Sequence, residues 1–329
     1  MNKTPLEMEY HELNTLLDSL LANQGLPSQI QYHGNHINYQ RRQRVRILFK
    51  AVYRLIKAQI FYMTSIRKKI RVLQTTGPVY DELKKTRCLK NLRTYLYLSK
   101  IGLTDLTRYL GGRFHDKLFA DFAIATMVYD AAFDIPLCRQ YLKDFDTLIM
   151  NDKRIESTNP YLTIFQDTVD YIHEKLGKTA ATVFFNYVKI EHISQLMSIY
   201  QQSDKQTTKP DLLKITYAKG GISALALMQL MAPKMNQEER RAIYELGAVM
   251  QLVDDISDIQ EDIKSGIQTL PNQKLLTYEE LKGLYYGTIN NLIENCHMDP
   301  TQPNGTIDML CWFADLILEK RYKTFITED

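Results

Sequence analysis

Glycine and proline are scarce in this chain of 329 residues, at 14 and 10. Short runs that alternate apolar and polar residues are hard to find as well. An all-β sandwich or barrel needs turn residues every roughly 8–12 positions, so both absences argue against one. The four cysteines, Cys88, Cys138, Cys296 and Cys311, are far apart with no Cys-x-x-Cys pair. They fit the reduced thiols of a cytoplasmic protein better than a disulfide framework or a zinc site. No uninterrupted apolar run of about 18 residues occurs, so no membrane span is expected. The stretch MNKTPLEMEYHELNTLLDSLL has neither the apolar region nor the small-residue cleavage site of a secretory signal. A soluble or peripheral intracellular protein is the expectation. A G-x-S-x-G elbow, an H-E-x-x-H pair, a P-loop and a dinucleotide fingerprint are all missing. His173 and His192 therefore read as structural or exposed. The net charge of +3 is too small to argue for nucleic acid.

What is present is helical periodicity. Long stretches carry apolar residues at i, i+3, i+4 and i+7, and 45% hydrophobic against 24% charged residues is enough for a sizeable core. Breaks are expected near Gly25–Pro27, Gly77–Pro78, Gly111–Gly112, Pro136, Asn159–Pro160, Lys209–Pro210, Gly220–Gly221, Pro233 and Pro271. With no internal repeat and no low-complexity linker, a single all-α domain is the simplest account.

One stretch concentrates the chemistry: LGAVMQLVDDISDIQEDIKSGIQTLP, residues 246–271. Asp254, Asp258 and Asp262 are spaced i, i+4, i+8, so a helix would carry them along one face. Like charges at that spacing are mildly destabilising, and a helix C-terminus, which Gly266 predicts nearby, disfavours them further. A cation resolves the conflict, and hard carboxylate oxygens suit Mg²⁺. A solvated acidic face is the plain alternative. A second pair, Asp130 and Asp134, ends the apolar run from Asp121 just before Pro136. Buried helices rarely place two aspartates on one face without a counter-charge, so the two acidic elements are expected to converge across a bundle. Between them, Lys219 precedes Gly220 and Gly221 in an apolar helical run. A helix break there would present backbone N–H groups beside a lysine, an arrangement that receives phosphate; a simple turn is the alternative.

Residues 41–71 hold eleven basic residues and no acidic one. Val45, Leu48, Phe49, Val52, Leu55 and Ile56 make a helical apolar stripe, which leaves Arg42, Arg46, Lys50 and Lys57 facing outward. Attraction to anionic headgroups, a positive rim near a phosphate-bearing substrate, and a merely solvated face all remain open. No aromatic pattern suggestive of base stacking accompanies the charge, so nucleic acid is not an expected partner.

The segment Gly247-x-x-x-Gln251-x-x-Asp254-Asp255-x-x-Asp258 resembles the second aspartate-rich motif of trans-prenyltransferases. Gln251 with Asp258-x-x-Glu261-Asp262, Gly266 and Leu270-Pro271 resembles squalene and phytoene synthases more closely. In the register of class I terpene cyclases, Asp254, Asp258 and Asp262 take the three positions of the metal triad. Asp130 and Asp134 match the outer aspartates of the first motif, Ala131 standing where its second aspartate would be. Lys219 with its glycines resembles the diphosphate-contacting break, and Arg321-Tyr322, with Trp312 upstream, resembles a terpene-cyclase Arg-Tyr pair.

The chain is thus similar to the class I isoprenoid synthase superfamily over roughly residues 115–325. The resemblance implies an all-α bundle with a central active-site cavity. Residues 101–329 would be the synthase core, and residues 1–100 an N-terminal helical region, integral or peripheral. It implies a prenyl diphosphate substrate and about three Mg²⁺ ions bound with diphosphate. The metal set would be Asp130, Asp134, Asp254, Asp258 and Asp262. Lys219, Gly220, Arg139, Gln251, Arg321 and Tyr322 would serve the substrate. Phe133, Phe184, Phe185 and Tyr187 are candidates to line the cavity and steady a carbocation. Terpene synthase activity is the first reading and head-to-head condensation the second, because ITYAKGGISAL matches the condensing enzymes poorly. Head-to-tail elongation fits least, since only Arg139-Gln140 remains of its Arg-Arg-Gly-x-Pro element. A non-catalytic helical subunit or membrane-surface scaffold is the reading from another class. Peripheral contact with the inner face of a membrane through 41–71 and a homodimer are both compatible with the sequence.

Overall fold

The computed structural model describes residues 3–30, 66–86, 88–151, 154–157, 159–202, 207–299 and 304–327, with Tyr53, Ile56, Gln59 and Ile60 between the first two. Every regular element among the described residues is helical, so the expected all-α class holds. The order begins α1 (Tyr10–Asn23), α2 (Arg67–Gln74), α3 (Pro78–Lys85), α4 (Cys88–Tyr109) and α5 (Asp116–Asp134). It continues with α6 (Leu142–Met150), α7 (Pro160–Leu176), α8 (Lys178–Ser198), α9 (Lys209–Met231) and α10 (Gln237–Ser257). The last are α11 (Ile259–Ser265), α12 (Tyr278–Asn295), α13 (Gly305–Phe313), a π-helical segment (Ala314–Tyr322) and α14 (Lys323–Thr327).

Local chemistry sets many of these limits. Pro78 and Pro160 open their helices, where a missing N–H costs nothing. Asn159 caps α7 by accepting from the Tyr161 N–H at 2.9 Å. Reciprocal capping boxes start α10 (Asn236 with Glu239) and α12 (Thr277 with Glu280). Gly266, in the left-handed region at φ 67°, ends α11.

The chain divides into two compact units. The one made of Gln43–Phe185 and Gln229–Pro233 is built round α5. That helix is buried on nearly every side, from Leu118 to Phe133, and so reads as a core helix rather than an amphipathic one. It packs against α4 and α7. The Tyr161 hydroxyl donates to the Val128 carbonyl, and the Phe145 and Phe165 rings meet edge to face at 5.0 Å. The buried Asp121 is paired with Lys117 at 3.0 Å, whose ammonium also lies over the Tyr171 ring.

The other unit comprises Met1–Arg42, Asn186–Met228 and Lys234–Asp329. Here α10 packs on α12 and on the π-helical segment. The helix α1 is tied in by Lys214, which donates to Asn14 and Asp18 at 2.7 Å, and by Gln237, which donates to the Gln24 and Gly25 carbonyls.

Two expectations need correction. The helix α9 runs unbroken through Gly220 and Gly221, so no turn lies there. The glycines instead permit a close helix crossing. A Cβ on Gly220 would sit 2.4 Å from the Gly247 carbonyl oxygen, and one on Gly221 would sit 2.5 Å from the Tyr244 ring. Reciprocally, a Cβ on Gly247 would lie 2.3 Å from the Gly220 oxygen. The second correction concerns the basic segment. Its apolar stripe from Val45 to Leu55 lies outside the described residues, as do Arg42, Arg46, Lys50 and Lys57. Ile56, expected to be buried with that stripe, is exposed.

Alanine at an exposed helical glycine gains about 1 kcal/mol, whereas overpacking a tight contact costs about 1–3 kcal/mol. Gly247→Ala presses a methyl group onto backbone, which cannot swing aside as a side-chain tip can. Its urea midpoint should therefore fall, by about 1–2 kcal/mol net. A midpoint at or above that of the parent protein would show that the crossing has slack.

Candidate functional site

The acidic stretch does not form one straight helix. The helix α10 ends at Ser257, and Asp258 has φ −106° and ψ 6°, between α10 and α11. The Asp258 N–H still donates to the Asp254 carbonyl at 3.0 Å, while Glu261 and Asp262 both donate to the Asp258 carbonyl, at 2.8 and 2.9 Å. The expected face of Asp254, Asp258 and Asp262 is therefore bent at its middle member. Electrostatics favours the bend. It moves Glu261 and Asp262 from the end of one long helix, where negative charge is disfavoured, to the first turn of a new one, where it is favoured.

Four carboxyl groups nevertheless crowd one another. Burial, together with the neighbouring Asp254 and Asp262 charges, pushes Asp255 up to about 7. Asp258 and Asp262 are each pushed up to about 6, by burial first and then by adjacent carboxylates. Burial also raises Asp254. Solvent still reaches Asp254 and Asp258, whose surfaces are exposed. Their raised pKa values thus reflect protein packed around an open rim, not a sealed interior, and water screens part of the repulsion.

Three side chains oppose it. Lys219 lowers Asp254, Asp255 and Asp262. Arg321, at the end of the π-helical segment, lowers Asp258. The Gln251 amide donates to Asp255 Oδ1 at 3.1 Å and lies 3.4 Å from Asp254 Oδ2. The other oxygen of Asp255, Oδ2, is buried with no hydrogen-bond partner. A buried carboxylate oxygen left in that state is costly, and a proton or a cation is what relieves it.

The structure thus brings Asp254, Asp255, Asp258, Asp262, Gln251, Lys219 and Arg321 into one electrostatic neighbourhood. Gly220 takes part differently from the expectation. Inside a continuous helix its N–H is committed to the ladder, and the residue serves the crossing instead. Tyr322 also departs from expectation. Its ring is buried and its hydroxyl donates to the Leu276 carbonyl at 2.5 Å, so it anchors the segment that presents Arg321.

Asp130 and Asp134 belong to the other unit, in the last turn of α5. Asp130 is half-buried and Asp134 exposed, and both charges reach Cys88. Ala131, where the resemblance would place a further aspartate, is buried core. Arg139 is exposed on the short 3-10 segment that follows. Of the aromatic candidates, Phe133, Phe184 and Tyr187 are buried packing residues, and Phe185 stacks on His173 at 4.2 Å.

Among the described residues, no three His, Cys, Asp or Glu side chains are grouped so as to enclose a metal ion. The donor chemistry still fits Mg²⁺, which usually takes one or two carboxylates and completes its shell with water and phosphate oxygens. Sequence reasoning missed the bend at Asp258 and the role of Gly247. A lone glycine in the apolar helical run before the aspartates was the available signal for the latter. No family model matches the chain, and no curated protein or solved structure matches it either.

The raised carboxyl groups have a consequence for stability. Between about pH 4 and pH 7 the native chain holds protons that the unfolded chain has released, so stability falls as pH rises through that window. Asp255→Asn keeps an acceptor for Gln251 and removes the charge. It should raise the melting temperature near pH 8, by roughly 2–4 °C per kcal/mol relieved, and leave it unchanged near pH 4. Equal effects at both values would mean that charge is not the cause.

Proposed function

We propose that this protein is a Mg²⁺-dependent class I isoprenoid synthase of the terpene synthase kind, which ionises a single prenyl diphosphate and lets the carbocation cyclise or rearrange. The observation that carries this reading is the crowding of Asp254, Asp255, Asp258 and Asp262, each raised in pKa, with Lys219 and Arg321 as the opposing cations. Four carboxyl groups against two cations leave positive charge in deficit, and a metal–diphosphate complex would supply it.

In this reading one or two of Asp254, Asp258 and Asp262 would hold each metal ion from the bend, water and diphosphate oxygens completing its shell, and the resemblance adds Asp130 and Asp134 to the set. Bound Mg²⁺ would neutralise the diphosphate and make it a better leaving group. Lys219 and Arg321 grip diphosphate oxygens, a role for which a flexible ammonium and a forked guanidinium both serve. Gln251 orients Asp255 and Asp254 through its amide. The all-α architecture with an apolar cavity for the prenyl chain belongs to the same reading, since a cation survives only where water is excluded.

The test uses ten-, fifteen- and twenty-carbon prenyl diphosphates, with and without Mg²⁺, reading diphosphate release and product mass. Products of one prenyl unit support the proposal, and products of two joined units indicate head-to-head condensation. Asp258→Ala and Asp130→Ala should each lower Mg²⁺-dependent turnover by about 100-fold or more, with circular dichroism unchanged. No release from any substrate, with or without isopentenyl diphosphate, would leave a non-catalytic helical protein.

A further inference from the structure

The last helical stretch changes its winding part-way along. In α13 the buried positions include Ile307, Leu310 and Cys311, and Ala314 continues them. Those offsets of three, four and seven residues are the α-helical period. Carried on unchanged, the same face runs through Ile317 and Leu318, both buried, and then through Arg321. Arg321 is seven residues after Ala314, four after Ile317 and three after Leu318. An α-helix would therefore set a guanidinium in the middle of a buried apolar stripe, where an unpaired charge is costly.

The structure avoids this. From Ala314 to Tyr322 the helix is π-wound, with hydrogen bonds that reach five residues back, as the Lys323 N–H reaches the Leu318 carbonyl. Two α turns take about 7.2 residues. The wider π turn takes more, so seven residues no longer bring Arg321 back onto the stripe. Tyr322, five residues after Ile317 and four after Leu318, takes the central place instead. Burial agrees, for Tyr322 is fully buried and Arg321 exposed. Long π runs are rare and π winding gathers at functional sites, so it needs something to hold it. Two contacts tie the segment down. The Tyr322 hydroxyl donates to the Leu276 carbonyl at 2.5 Å, and Glu319 pairs with Lys282 at 3.5 Å. The segment also packs on α10, which ends just before the exposed Asp258, and the Arg321 charge acts on that carboxylate.

We infer that Tyr322 is a positioning residue: its bond to the Leu276 carbonyl holds the π winding, and the winding delivers Arg321 to the acidic stretch. The inference rests on the synthase reading only for what Arg321 then grips. A double-mutant cycle of Arg321→Gln with Asp258→Asn tests it, read as urea midpoints of the full chain near pH 8, where Asp258 is ionised. Charge partners held in place give non-additive midpoints. The cycle should therefore show coupling in the wild-type background and none once Tyr322→Phe is added. A tyrosine that only packs would lower every midpoint and leave the coupling as it was, which overturns the inference, as does a wild-type background without coupling. Should Tyr322→Phe fail to fold, Glu319→Gln, which breaks the segment's other tie, replaces it. A partial loss of coupling is then expected, and undiminished coupling overturns the inference. Tyr322→Phe and Arg321→Gln should each weaken binding of inorganic diphosphate with Mg²⁺ by about tenfold. Weakening by Arg321→Gln alone counts against Tyr322. A wild type that binds no diphosphate counts against the synthase reading, and the cycle by itself then decides for or against Tyr322.

Discussion

In the unit that carries the acidic stretch, Gly220 on α9 and Gly247 on α10 meet so closely that either Cβ would fall within 2.4 Å of the other residue's carbonyl oxygen. Backbones that meet at such range gain dispersion contacts along their length and lock the two helices in register. The functional groups depend on that register. Lys219 precedes the first glycine, and Gln251 lies one turn after Gly247, its Cβ under the Gly220 backbone. From there its amide reaches Asp255 and Asp254. Wider spacing of the helices would part the lysine from the aspartates whose charged form it stabilises.

The bend at Asp258 is the second constraint, and it answers to the first. A helix pinned at Gly247 and continued straight would hold five carboxylates at its C-terminal end, against its own dipole. Ending α10 at Ser257 divides them between the last turn of one helix and the first turn of another. The relief is partial, because Asp255, Asp258 and Asp262 remain well above the ordinary carboxylate range. Stability is being spent at one place, as sites that bind ions commonly require.

Much of this was legible locally. Pro78, Pro160, Asn159 and Gly266 bound helices for reasons contained in a few neighbouring residues. The aspartates, Lys219 and Arg321 could be picked out by type and spacing alone. What escaped was decided at a distance. Two adjacent glycines weaken a helix by about 1 kcal/mol each, which reads as a turn until Gly247 on another helix supplies the compensation. No glycine or proline marks the bend at Asp258, a bend that repulsion among the carboxylates favours. Tyr322 resembled a ligand-binding residue beside Arg321, yet Leu276, far back in the chain, takes its hydroxyl. Ile56 fitted a buried stripe by periodicity, and periodicity fixes a face without saying which way that face looks.

Two acids of α10 are held in very different ways. Glu245 is completely buried, and both its oxygens are served: Arg241 Nε donates to one at 3.1 Å and Asn291 Nδ2 donates to the other. Asn295 in turn donates to Asn291 and steadies that arrangement. This is how a carboxylate is kept inside a helix bundle for packing alone, with a cation and a fixed amide. Asp255, ten residues further along the same helix, has one oxygen held by a neutral amide and a buried oxygen with no protein partner. The sequence that equipped Glu245 so fully had arginine and asparagine at its disposal for Asp255 as well. That oxygen lies without a protein partner beside three more carboxylates and two flanking cations, a charge imbalance that the proposed metal–diphosphate ligand would relieve.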